Sequence, residues 1–193
     1  NKPVIRGLSG MRVISFLNGL RIENQQWGGD HGMGINENGI GNVEVIKGPS
    51  SLLYGADAMG GVVYFKDEAY AKQNEIQAKF ESRYETNTRG SNNFATLKFN
   101  KNNLRFNLHA NYANHADFTV PGNKYVKNSA FIEQNYKVSM GYNYKNWILN
   151  LRYNYLDNRI SIPGHSHDSV LNAALFKSDL QKRSESIPAQ VIN

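Results

Sequence analysis

Five segments of about ten residues between Ile76 and Tyr155 place apolar and polar side chains on alternate positions, which constrains the fold more than any other feature of the chain. From Ile76 to Thr86, one face carries Ile76, Ala78, Phe80, Ser82 and Tyr84, and the other Gln77, Lys79, Glu81, Arg83 and Glu85. Ala95, Leu97 and Phe99 oppose Thr96 and Lys98, and Leu104, Phe106, Leu108, Ala110 and Tyr112 oppose Arg105, Asn107, His109 and Asn111. Val138, Met140, Tyr142 and Tyr144 oppose Lys137, Ser139, Asn143 and Lys145; Trp147, Leu149, Leu151, Tyr153 and Tyr155 oppose Asn150, Arg152 and Asn154. A period of two is the mark of a β-strand, and about ten residues is the length at which a tilted strand crosses a bilayer.

A soluble sandwich alternates as well, so three further details carry the membrane reading. Tyr84, Tyr112, Tyr144, Trp147 and Tyr155 punctuate the apolar faces near strand ends, where an interfacial aromatic girdle lies. The opposite faces carry ionised side chains, which a water-filled lumen accommodates. The connections alternate in length: Lys101 to Asn103 and Lys145-Asn146 are tight, whereas Ala113 to Gln134 and Asp157 to Gln190 are long. Antiparallel strands put the tight turns at one end and the long loops at the other, the asymmetry of outer-membrane barrels. Such barrels use at least about eight strands, because an open sheet edge is not tolerated in lipid. Five strands therefore predict a larger polypeptide, with more strands beyond Ile192.

Composition narrows the functional classes. The formal net charge is +6 over 193 residues, but the basic residues alternate with acidic ones instead of forming a run, which argues against nucleic acid as a partner. There is no cysteine, so disulfides, thiolate metal sites and cysteine nucleophiles are excluded. The sequence has no run of about 18 apolar residues and no N-terminal stretch resembling a signal peptide, which excludes a transmembrane helix but not a barrel.

Before the alternating region, Val43 to Phe65 reads VEVIKGPSSLLYGADAMGGVVYF and is dense in backbone instructions. β-Branched Val43, Val45 and Ile46 favour a strand, Gly48-Pro49 ends it, PSSLLY makes one helical turn, and Gly55 is placed to close that turn in a left-handed conformation. Gly60 and Gly61 permit close backbone approach, and Val62 to Phe65 restart a buried strand. The glycine spacing fits neither a phosphate loop nor a dinucleotide fingerprint. Upstream, Pro3 to Arg6 and Arg12 to Leu17 read as strands, and Asn18-Gly19 predicts a type I′ hairpin returning through Leu20 to Glu23. Asn24 to Gly41 is an exposed Asn- and Gly-rich loop, and Asp67 to Asn74 a polar linker.

On these residues the segment NVEVIKGPSSLLYGADAMGGVVYF resembles the end of the plug domain of TonB-dependent outer-membrane receptors, and PVIRGLSGMRVISFLNGLRI is similar to the plug's paired strands. The resemblance covers Lys2 to Phe65, with Lys47, Gly48, Pro49, Tyr54, Gly55, Gly60 and Gly61 as its structural motif. It implies a mainly β chain: residues 1–65 as the C-terminal part of a small α+β plug, and 66–193 as the first strands and outer loops of a large transmembrane β-barrel, present in part. It also implies a receptor in the outer membrane of a Gram-negative bacterium, with the plug in the barrel lumen. Such a receptor takes up a scarce nutrient actively, driven by the TonB complex, and needs no cofactor or catalysis. The signal peptide, the TonB box and most of the family's roughly twenty-two strands are not in this sequence. The inward charges Lys79, Glu81, Arg83, Arg105, Lys137 and Arg152 then wet the lumen or hold the plug. A barrel subunit with a docking role in a surface assembly, lidded by a lipoprotein, is the alternative.

The cargo residues are read from chemistry. His165, His167 and Asp168 form HSHD in the second long loop, His115 and Asp117 lie in the first, and Asp30 and His31 in the Gly-rich loop. Imidazole and carboxylate are the transition-metal ligands open to a cysteine-free chain, which points to a metal ion or metal chelate. Trp27, Phe118 and Tyr125 suit an aromatic siderophore equally. HSHD is also the start of a hydrolase-type HxHxDH motif, but Ser169 stands where that motif needs Asp, so no enzyme is expected.

Overall fold

The computed structural model describes residues 3–23, 35–122, 124–161, 176–177 and 191–192. The chain divides into two units, Asn1–Ala69 and Tyr70–Asn193.

The first unit is built on a four-stranded sheet. Strand β1 (Val13–Leu17) turns through Asn18-Gly19 into β2 (Leu20–Ile22), and β3 (Ile40–Ile46) leads through a 3-10 turn, Gly48–Tyr54, to β4 (Gly61–Asp67). The order is β2-β1-β4-β3. Asn18 and Gly19 take φ of +50° and +90°, the positive values a type I′ turn requires. Sequence did not disclose that β1 and β4 run parallel, in register from Val13 opposite Gly61 to Leu17 opposite Phe65. Both faces are buried in consequence: Ile5, Val13, Val63 and Phe65 pack on one side, and Ile14, Ala58 and Val62 on the other.

Two expectations are corrected here. Pro3 to Arg6 is not a strand: Arg6 and Gly7 both have positive φ, and Ile5 and Leu8 exchange two 2.9 Å hydrogen bonds across them. An extended strand has no place for a left-handed residue, so the segment is a tight turn. Arg12 belongs to the short 3-10 turn Gly10–Arg12, and β1 begins one residue later. At the other end β4 runs through Lys66 to Asp67. Asn18 brackets that exit, its Nδ2 donating to Asp67 Oδ2 at 2.6 Å and its Oδ1 accepting from the Asp67 amide at 3.0 Å.

The second unit contains the alternating segments as long antiparallel strands: β5 (Glu75–Glu85), β6 (Gly90–Lys101) and β7 (Leu104–His115) come first. A short hairpin follows, β8 (Thr119–Val120) and β9 (Lys124–Val126), then β10 (Phe131–Tyr144) and β11 (Trp147–Ile160). Two further pairs, β12 (Phe176–Lys177) and β13 (Val191–Ile192), join β9 and β11 respectively. The main sheet has the order β13-β11-β10-β7-β6-β5 and is open among the described residues.

The register aligns the faces that alternation predicts. Ile76, Phe99, Phe106, Met140 and Leu151 stand in one cross-strand row, and Ala78, Leu97, Leu108, Val138 and Tyr153 in the next. From the row of Tyr144 and Trp147 to that of Tyr136 and Tyr155 the strand advances eight residues, about 27 Å along its axis and roughly 19–22 Å in height at the tilt of a membrane barrel. That matches the apolar band of such barrels. Aromatic rings close the band at both ends, Tyr142, Tyr144 and Trp147 below, Tyr112, Tyr136 and Tyr155 above. These rings and the aliphatic side chains between them are exposed, Trp147 at 78% and Leu151 at 60%, a larger apolar patch than a soluble monomer usually carries. On the polar face Asn107, His109, Asn111, Asn135, Lys137 and Ser139 are buried. Above the band the strands continue to pair, through Asn114 opposite both Ser91 and Ile132, and so extend beyond the limits the alternation marked.

Candidate functional site

In the first unit the structural motif gathers around the 3-10 turn. Pro49 occupies its first turn, where a missing N–H costs nothing. The buried Ser51 hydroxyl lies 2.8 Å from both the Gly48 and Ala58 carbonyls, tying the turn to the loop after it. Ser51→Ala is expected to cost about 1 kcal/mol in urea titration of the receptor, since two buried acceptors lose a shared donor. Tyr54 packs edge-on against Phe16, ring centres 5.2 Å apart. Gly55 ends the turn at φ +125°, ψ 159°, not in the left-handed helical region expected of a cap, yet still in a conformation suited to glycine. Lys47, just before the turn, is extended.

Lys66 on β4 pairs with Glu44 on β3, and the hydrogen bond its ammonium donates to that carboxylate raises its pKa above the usual 10.5. The pair's contribution is therefore complete at neutral pH and lost only as pH rises past the ammonium's ordinary range. A shallow cavity of about 140 Å³ is lined by Met11, Val13, Ile14, Arg21, Ile22, Glu23 and Asp57. Arg21 bridges Glu23 at 3.1 Å and Asp57 at 2.9 Å beside it. Among the described residues, none singled out as a cargo contact lines this cavity.

In the second unit the long-loop end of the sheet brings together residues from separate connections. His115, at the end of β7, is 2% exposed. Its Nδ1 lies 2.7 Å from Thr88 Oγ1 and its Nε2 3.1 Å from Asn92 Oδ1, and its ring stacks on Phe131 at 4.5 Å. In the neutral ring, Nε2 donating to the Asn92 carbonyl and Nδ1 accepting from the Thr88 hydroxyl satisfies both bonds. Gly90 lies under this ring: a Cβ there would sit 2.6 Å from His115 Cγ and 2.7 Å from the Asn114 carbonyl oxygen. Asp117 is 4% exposed, and its Oδ1 accepts from the Ser129 and Ala130 amides, each at 2.9 Å, and from Ser129 Oγ at 3.3 Å. Arg89 donates to the Asp117 carbonyl at 3.1 Å and lies over the Tyr125 ring at 4.8 Å. Asn87 accepts from the Thr119 amide at 2.6 Å.

Of the residues expected to face cargo, His115, Asp117 and Phe118 are thus brought to one place. Phe118 is the exposed member, while His115 and Asp117 are buried and hydrogen-bonded within the protein. Trp27, Asp30, His31, His165, His167 and Asp168 lie outside the described residues. Among the described residues no group of three or more His, Asp or Glu is placed to hold a metal ion. Arg89, Asn87, Thr88 and Ser129 were not foreseen. His115 itself continues the odd-numbered polar face from Arg105 through Asn111, a signal that would have placed it on the strand.

The inward charges also find places. Glu81 bridges Lys79, at 3.0 Å, and Arg83 on β5. Arg105 lies over the Tyr70 ring at 5.1 Å and donates to Asn143 Oδ1 at 2.9 Å. Lys137 is 3% exposed on β10 and Arg152 stands on β11.

A glycine-shaped first unit is thus followed in the chain by a second unit of long antiparallel strands with an aromatic-bounded apolar face. Residues 1–62 match the TonB-dependent receptor plug domain, and over that segment the chain is similar to TonB-dependent receptors. Over 62 residues it is 45% identical to the heme/hemopexin utilization protein C of Haemophilus influenzae (strain 86-028NP), a match spanning 32% of this chain and 9% of that protein. It is 34% identical over 62 residues to the vitamin B12 transporter BtuB of Vibrio vulnificus (strain YJ016), covering 32% of this chain and 10% of that one. The matched segments thus span about a tenth of the length of these relatives. The fold is similar to the siderophore receptor PirA of Acinetobacter baumannii, with a TM-score of 0.54 and 18% identity over 82% of this chain and 26% of that one. These proteins are named as a utilization protein, a transporter and a receptor.

Proposed function

We propose that the protein is an outer-membrane receptor of a Gram-negative bacterium that takes up a metal chelate under the drive of TonB. In this reading residues 1–65 are the end of the plug and 66–193 the first strands and outer loops of the barrel wall. The observation that carries it is the plug segment itself, joined in one chain to strands whose apolar face has the height and aromatic borders of a membrane wall. The relatives support the cargo class: proteins named for heme utilisation and vitamin B12 transport are similar to this chain over the plug segment, and both of those ligands are metal-centred macrocycles. No bond in the cargo need be broken, so binding and gating suffice.

The test uses the full-length receptor. Haemin, cobalamin and a ferric catecholate are titrated against it, and growth on the bound chelate is followed in a Gram-negative host with and without TonB. Tight binding of one chelate and growth lost without TonB are expected. Binding of none, or uptake indifferent to TonB, would sink the proposal. A His165→Ala/His167→Ala variant, read by the Soret band of bound haemin, asks separately whether these imidazoles ligate the metal.

A further inference from the structure

We infer that His115 and Asp117 are positioning residues that lock two surface connections, 86–89 and 116–130, into one fixed platform, with Phe118 and Lys124 as the groups it presents to cargo. The inference rests on the receptor reading above for its cargo, but the lock itself is read from the structure. Both nitrogens of the His115 ring are committed, one to Thr88 in the first connection and one to Asn92 on β6. The ring is held between Phe131 and the bare backbone of Gly90. Using either nitrogen of this imidazole to ligate a metal would break the hydrogen bond it makes.

Asp117 plays the matching part in the second connection. Its carboxylate closes the 117–130 loop on itself by accepting from Ser129 and Ala130, and the Ser129 hydroxyl in turn accepts from the Phe118 amide at 3.1 Å. The Val126 amide donates to the Phe118 carbonyl at 3.1 Å, so Phe118 is held on both its backbone groups. The two connections are then joined three times: the Ala116 amide donates to the Thr88 carbonyl at 3.0 Å, Asn87 holds Thr119, and Arg89 reaches Asp117 and Tyr125. A third connection contributes β12, whose Phe176 and Lys177 pair with Val126 and Tyr125 of β9. Phe118, at 36% exposure, and Lys124 face solvent from this frame. A surface ordered in advance spares the entropy of ordering loops when cargo arrives. By strand register Phe118 and Lys124 stand on one face of the β8–β9 hairpin, and an aromatic ring and a lysine on one face suit a flat, anionic chelate such as a porphyrin bearing carboxylates.

The experiment is hydrogen–deuterium exchange on the full-length receptor in phospholipid vesicles, with haemin as the probe. The amides of Phe118, Val126, Ser129 and Ala130 are expected to exchange slowly without haemin and to change little when it is added. Asp117→Ala should accelerate exchange at Ser129 and Ala130 by about tenfold or more and weaken haemin binding, while Asp117→Asn, which keeps an acceptor oxygen, should restore most of both. Fast exchange in the free receptor that haemin slows by about tenfold would show a lid that folds on its ligand, and would overturn the inference. So would an Asp117→Asn receptor that exchanges like the wild type yet binds haemin as poorly as Asp117→Ala, because Asp117 would then be a direct ligand. If the wild type binds no haemin, the cargo reading fails, and exchange in the free receptor still decides the lock.

Discussion

Leu151→Arg is expected to destabilise the receptor in phospholipid vesicles by about 2–4 kcal/mol, the cost of an arginine on the lipid face near mid-height of a membrane barrel. Leu151 stands in the central row of the apolar band, beside Met140, and is 60% exposed in the isolated sheet. On a soluble protein a side chain this open tolerates arginine within about 0.5 kcal/mol. The same substitution therefore has opposite expectations in the two kinds of solvent, which makes it a test of where the sheet lives. Asn154→Arg is the control. It lies on the same strand but on the polar face, opposite Lys137, and is exposed. Its effect is expected to stay within about 0.5 kcal/mol. Urea titration followed by tryptophan fluorescence after folding into vesicles measures both, and a Leu151→Arg effect no larger than the control's would argue against a lipid-facing wall.

Gly61→Ala is expected to cost about 2–4 kcal/mol in the first unit, through strain and overpacking together. Gly61 begins β4 at φ +139°, where an L side chain is strained. A Cβ there would stand 2.8 Å from the Ile46 carbonyl oxygen, a backbone atom fixed by the β3–β4 ladder, and 3.2 Å from Ile5 Cδ1 in the core. Neither neighbour has an easy retreat, because the ladder continues from Ile46 opposite Val62 to Val45 opposite Val63. Limited proteolysis of the receptor reads the result: cleavage within the first unit should rise while the strands of the second stay protected. A Gly61→Ala receptor as resistant as the wild type would mean that the parallel core yields more readily than its geometry implies.

Much of this architecture was legible before any coordinates, and for a local reason. The pleat of a strand sends successive side chains to opposite faces, so Ile76 to Tyr84 and Trp147 to Tyr155 declared both their extension and their apolar face without reference to any partner. Asn18-Gly19 likewise declared its hairpin, since positive φ is a property of two residues. The match to the plug family rests on the same kind of information, a run of glycines and a proline each answering to the backbone at its own position.

The candidate cargo residues were less legible. His115 and Asp117 carry the chemistry of ligands, and sequence has no means of showing that Thr88, Asn92, Ser129 and Ala130 already occupy their polar atoms. Those partners arrive from neighbouring strands and loops, as the parallel pairing of β1 with β4 arrives from opposite ends of the first unit. By itself the sequence determined the strands, their two faces and the glycine motif of the plug, because each follows from the local stereochemistry of a few consecutive residues. Only the tertiary structure decided which polar groups are spent holding the loops and which are left for a ligand, because a hydrogen bond is satisfied or free according to what the fold brings within about 3 Å of it.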